Sequence, residues 1–102
     1  MTEIDEEKIK RRLLACEDYI VSEDIDSFIT CAKQLTGIEW VKKDLTFFTE
    51  DGELIRVIGL HRLNDEVLSI IAYYDIEMGF EYAGFEIDIS SLEDVRRVIQ
   101  DI

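Results

Sequence analysis

The hydrophobic period of this chain changes between Leu35 and Glu39, and that change constrains the fold more than any other feature. Up to Leu35 apolar residues recur at helical spacing; from Glu39 onward they alternate. Residues 5 to 21 place Ile9, Leu13, Cys16, Ile20 and Val21 on one helical stripe with charges between them. Ser22 or Asp24 can cap a second helix with the stripe Ile25, Phe28, Ile29, Ala32 and Leu35. Gly37 stands where a glycine commonly closes a helix. The spacing fits two helices or one bent helix.

Beyond the switch, "WVKKDLTFFTEDGELIRVIGLHRL" reads as two strands joined at Glu50-Asp51-Gly52, since Asp-Gly between β-rich runs is a strong hairpin signal. Further strands are expected at "EVLSIIAYY", at 76 to 82 and at 85 to 89. The alternation slips at Ala83-Gly84: Ile76, Met78, Phe80 and Tyr82 are even-numbered, whereas Phe85, Ile87 and Ile89 are odd. Such a slip means a tight hairpin or a bulge at Gly84. Ser90 and Ser91 can cap a final short helix carrying Leu92, Val95, Val98, Ile99 and Ile102. The expected fold class is therefore α+β: two N-terminal helices, an antiparallel meander of four to five strands and a C-terminal helix, in one domain spanning residues 1–102.

Two of these strands are apolar on both faces. Leu54, Ile58 and Leu60 oppose Ile55 and Val57; Leu68, Ile70 and Ala72 oppose Val67, Ile71 and Tyr73. Strands of that kind lie centrally and are covered on both sides. Three helices cover one face well. The other must be closed by sheet curvature, by the last helix or by a second subunit, so a homodimer is expected.

Charge narrows the choice of partners. The formal net charge is −13 and the isoelectric point is near 4.3. Long-range repulsion disfavours direct nucleic-acid contact and anionic membranes, and favours a basic protein or a cation. Apolar residues make up 47% of the chain and are periodic throughout, which argues against disorder despite the charge. The acidic start "MTEIDEEKIK" resembles neither a secretory signal nor a transit peptide, and no apolar run is long enough to span a membrane. A cytoplasmic location with reduced thiols is expected. Cys16 and Cys31 both fall on apolar stripes and read as small core residues rather than a disulfide or a metal pair.

Motifs that carry chemistry are sparse. His61 in "GLHRL" could act as a base, but an acidic neighbour is easily found in so acidic a chain, and a polar residue at a strand end is the preferred reading. No nucleophile-elbow, metalloprotease, phosphate-loop or dinucleotide fingerprint occurs. The chain is read as non-enzymatic, without a cofactor. "SEDIDS" and "TEDGE" bunch acids without the calcium-loop pattern; a helix N-terminus and a hairpin turn account for them, so no metal site is expected. The basic run "KIKRR" at residues 8 to 12 is read as pairing within its helix, Arg11 with Glu7, ahead of a contact to a second copy.

The acids themselves are unevenly placed. From Leu63 to Val95 stand nine acids (Asp65, Glu66, Asp75, Glu77, Glu81, Glu86, Asp88, Glu93 and Asp94) and no Lys or Arg, whereas the remaining 15 acids meet all 11 bases. Same-face neighbours along a strand are ~6.8 Å apart. Each like-charge pair then costs roughly 0.6 kcal/mol in water and about half that in physiological salt. A row of this kind costs about 1–2 kcal/mol, which a domain stable by about 5–15 kcal/mol carries. Two readings compete: charges that keep an exposed sheet soluble and unpaired, and a preformed anionic surface.

On the second reading Asp75, Glu77, Glu81, Glu86 and Asp88 bind a basic protein partner, with aromatic residues among Trp40, Phe48, Tyr73, Tyr74, Phe80 and Tyr82 adding affinity. The leading expectation is an inhibitor, immunity or adaptor module, with a surface that could imitate nucleic-acid phosphates. The alternatives are a dimeric ligand-binding or chaperone-like module using an apolar sheet face, and, behind both, an enzyme built around His61.

Overall fold

The computed structural model describes residues 5–93 and Arg96. Three helices precede a four-stranded sheet: α1 (Glu6–Leu14), α2 (Glu17–Val21), α3 (Ile25–Thr36), then β1 (Val41–Phe48), β2 (Leu54–Leu63), β3 (Glu66–Asp75) and β4 (Glu81–Ser91). The sheet is an antiparallel meander in the order β1-β2-β3-β4, so α+β with an antiparallel sheet holds as expected. The expected C-terminal helix lies almost wholly outside the described residues. Among those residues no helix is long and apolar enough to cross a membrane.

The helical half follows its caps. Asp5 accepts from the Lys8 amide and Asp24 from the Ser27 amide, each satisfying a donor that the first turn leaves unpaired. The stretch 5 to 21, expected as one helix, breaks at Ala15-Cys16 into α1 and α2. Gly37 closes α3 at φ 72°, and its amide donates to the Lys33 carbonyl. Beyond it the Thr36 hydroxyl donates to the Ala32 carbonyl and accepts from the Ile38 amide and Trp40 Nε1. That knot fixes the exit from helix to sheet and satisfies the indole of Trp40, which is only 1% exposed.

Two layers of apolar side chains hold the sheet. On the helix side Leu13, Cys16, Ile20, Phe28 and Trp40 pack with Ile58, Leu68, Ile70, Phe85 and Ile87. On the opposite side Val57, Leu60 and Val67 form a smaller cluster against Leu45, Ile71 and Leu92. Ile58 and Leu60, expected on one face, point to opposite faces. The β2 register shifts between Val57 and Gly59, and that bulge turns Ile58 to the helices and returns Leu60 to the Val57 side. Gly59 itself lies under α3, where a Cβ would stand 2.9 Å from Ile29 Cδ1.

Val57, Leu60 and Val67 are each less than a tenth exposed within a single chain. Leu92, whose amide donates to the Asp65 carbonyl, covers part of this cluster as the chain leaves β4. These three side chains are therefore covered without a second copy.

The cysteines differ from expectation. Cys16 and Cys31 form a disulfide that ties the α1–α2 junction to α3, with Cα atoms 6.0 Å apart. Two positions on separate apolar stripes converge because those stripes face the same core, and a sequence separation of 15 residues gave no hint of it.

Candidate functional site

The acidic segment from Asp75 to Asp88 is the turn and returning strand of a hairpin, with no strand at 76 to 80. β3 ends at Asp75, residues 76–80 form the turn, and β4 begins at Glu81. The slip at Ala83-Gly84 is a bulge inside β4: Tyr73 faces Gly84 while Tyr74 faces Tyr82, which leaves Ala83 as the extra residue. The strand expected at 76 to 82 is thus corrected. Continuing it would have left the Asp75 carboxylate without the role it has here, accepting from the amides of Glu77 (3.0 Å) and Met78 (3.3 Å). The Phe80 amide closes the turn on the Asp75 carbonyl at 2.9 Å.

This placement sorts the five acids. Asp75 and Glu81 stand directly opposite each other at the base of the turn, a like-charge pair that opposes the hairpin. Glu77 lies in the turn. Glu86 faces Ile71 and Asp88 faces Ser69 further along the sheet. Glu86 Oε2 accepts from the Tyr73 hydroxyl at 2.7 Å.

In a four-stranded meander the first and third turns lie at the same end of the sheet. The Glu50-Asp51-Gly52 turn between β1 and β2 appears where expected, with Gly52 at φ 83°. Its neighbour Glu53 therefore joins the β3–β4 turn. Glu53, Tyr73, Tyr74, Asp75, Ile76, Glu77, Ala83 and Glu86 line a cleft of about 580 Å³ there. Glu53 was absent from the expected site, although the parity of the turns in a meander would have found it. Glu81 and Asp88, included in that site, do not line the cleft.

The cleft is negative, and Tyr73 registers this in part. Burial first, then the hydrogen bond to Glu86 and the charges of Glu86, Asp88 and Glu53, push the Tyr73 phenol well above its ordinary range. Tyr74 accepts from Arg56 Nη1 at 3.4 Å, but that cation is neutralised by Asp44, whose Oδ1 lies 2.5 Å from Arg56 Nε. The hydrogen bond to Asp44 is the main cause that raises the Arg56 guanidinium above its already high ordinary value.

Apolar side chains rim the same end. Ile76, Met78 and Phe80 are 42%, 63% and 51% exposed, and Phe48 at the end of β1 is 62% exposed. Phe80 occupies φ 66° directly after Gly79 at φ 82°. A bulky side chain rarely adopts that region, and such outliers concentrate at functional sites.

Other candidates are placed elsewhere. His61 Nδ1 lies 3.3 Å from the Glu39 carbonyl, and its ring meets Trp40 edge-on at 6.1 Å; it does not line the cleft. Arg11 Nε donates to the Glu7 carbonyl rather than to the Glu7 carboxylate, and Arg12 Nη1 donates to the Leu35 carbonyl near the end of α3. From "SEDIDS", Asp24 caps α3 and Asp26 pairs with Lys42 at 2.7 Å. No protein-family model, curated protein or solved structure matches the chain.

Proposed function

We propose that this protein is a small non-enzymatic interaction module, of the inhibitor or adaptor kind, that binds a basic protein partner through the two-turn end of its sheet. One observation carries the reading: exposed Ile76, Met78 and Phe80 adjoin a cleft lined by four carboxylates and by no Lys or Arg. An anionic surface steers a basic partner and raises its association rate, while exposed apolar side chains supply area that is buried on contact. Charge for solubility alone would not require apolar side chains at the same end.

The competing groove reading needs an open apolar sheet face, and the burial of Val57, Leu60 and Val67 counts against it. The hairpin end contains neither cysteine, so the proposal holds in a reducing cytoplasm as well as in a setting that preserves the disulfide.

The test compares the protein with a Glu77→Gln, Glu81→Gln, Glu86→Gln variant, both immobilised, in an extract of the source cells. A basic protein is expected to be retained at low salt by the parent only. Its association with the purified parent should be slowed by salt, and that dependence should flatten in the variant. Equal retention on both surfaces, or retention of acidic proteins alone, would overturn the proposal.

A further inference from the structure

We infer that the partner is recognised through an arginine side chain that enters the cleft, with a neighbouring apolar side chain that packs on the Ile76–Phe80 turn. This inference rests on the interaction reading and specifies the chemistry of its partner.

The lining decides the charge of the occupant. Of its four carboxylates, Asp75 is committed to two turn amides and Glu86 to the Tyr73 hydroxyl. The carboxylates of Glu53 and Glu77 have no hydrogen bond or ion pair to any described residue, and they reach the cleft from two different turns. The lining contains no Lys, Arg or His among the described residues, and the Tyr73 hydroxyl already donates its one hydrogen bond to Glu86. An anion finds few donors there, whereas a cation finds acceptors on two sides.

Size and shape narrow the cation. The volume of about 580 Å³ falls within the range of sites that accept a small organic group. A planar guanidinium can bond two separated carboxylates at once and stack on tyrosine rings; an ammonium does the first less well and the second weakly. The apolar rim requires that the cation come attached to something apolar. Ile76 both lines the cleft and is exposed, so the rim and the cleft are continuous. An arginine next to a leucine-like residue on a peptide meets both demands, while a free cation meets one.

The experiment uses fluorescein-labelled peptides of alternating Arg and Leu, read by anisotropy at fixed ionic strength. Two companions replace every Arg by citrulline, which keeps the shape without the charge, or every Leu by Ser. The Arg-Leu peptide should bind the protein at least tenfold more tightly than either companion. A Glu53→Gln, Glu77→Gln variant should bind it at least tenfold more weakly, whereas Glu6→Gln, Glu7→Gln on α1 should change affinity less than twofold. Replacing Met78 and Phe80 by Ser should weaken the Arg-Leu peptide and leave the Arg-Ser peptide unchanged. Equal losses in the cleft and α1 variants would mean binding through net charge, which sinks this inference and leaves the interaction reading standing. If no Arg-bearing peptide binds the parent protein more tightly than citrulline does, both fall.

Discussion

The helix-packed layer and the two-turn end of the sheet are built from similar side chains treated in opposite ways. Under the helices Phe28, Leu13 and Ile20 are at most 1% exposed, and Lys42 and Arg56 find carboxylate partners in Asp26 and Asp44. At the turns Ile76, Met78 and Phe80 stand open, and Glu53 and Glu77 lack cations. Apolar side chains and charges on their own do not separate a core from a binding surface. What differs is whether the chain's own topology brings cover and counter-charge to them.

Truncation gives the largest contrast between the two regions. Phe28 is fully buried and meets Phe85 edge-on with ring centroids 6.3 Å apart, so Phe28→Ala should lose about 3–5 kcal/mol in urea denaturation. Met78→Ser, at 63% exposure, should stay within about 0.5 kcal/mol. Comparable losses at both sites would erase the distinction.

The disulfide belongs wholly to the covered region. It closes a segment with a sequence separation of 15 residues, and restricting the unfolded chain over a loop of that length is worth about 3 kcal/mol. Reductant should therefore lower the melting temperature, while peptide binding below the transition stays unchanged. A melting temperature indifferent to reductant would mean that the two sulfurs serve only as core atoms.

A pair of tyrosines sharpens the comparison at the boundary. The Tyr82 hydroxyl is buried without a hydrogen-bond partner among the described residues, whereas that of Tyr73 donates to Glu86. An unsatisfied buried polar group costs about 1–3 kcal/mol, so Tyr82→Phe should be neutral or stabilising and Tyr73→Phe destabilising by about 1 kcal/mol. Burial is the main cause that raises both phenols above their ordinary value of 10.0. The unfolded chain then loses these protons first. Their contribution is complete below pH 10 and declines as the pH rises above it. Tyr82→Phe should flatten that alkaline decline, read from denaturation midpoints at neutral pH and at a series of pH values above 10.

How legible these regions were follows from the range of the forces that build them. Asp24, Gly37 and Asp51-Gly52 act over a few residues, so the helix caps and the first hairpin could be read from the chain. The bulge at Ile58 and the meeting of Cys16 with Cys31 depend on strand register and helix packing, which local spacing does not encode. The acidic site was half visible. Its excess of carboxylates showed in the sequence, but a period-two reading ran through a turn because Ile76, Met78 and Phe80 alternate like strand residues. Exposed apolar side chains in a turn here imitate the pattern of buried ones. Glu53 needed the additional step of counting turns in a meander.

A small expected gain in stability, at Phe80, is also the most discriminating. Phe80 holds φ 66°, a conformation that costs an L-residue about 1–2 kcal/mol. Phe80→Gly removes that strain but adds about 0.5–1 kcal/mol of unfolded-state entropy. Because the ring is 51% exposed, little packing is lost. The net should be a gain between about 0 and 1.5 kcal/mol, and Phe80→Asn should behave similarly, since Asn tolerates this region. If the ring is there for contact, Arg-Leu peptide binding should weaken in both variants while urea midpoints hold or rise. Opposite movement of stability and binding is the signature of a side chain kept at the expense of the fold. A loss above about 1 kcal/mol in both variants would instead assign Phe80 to the core, and the two ends of the sheet would no longer differ in kind.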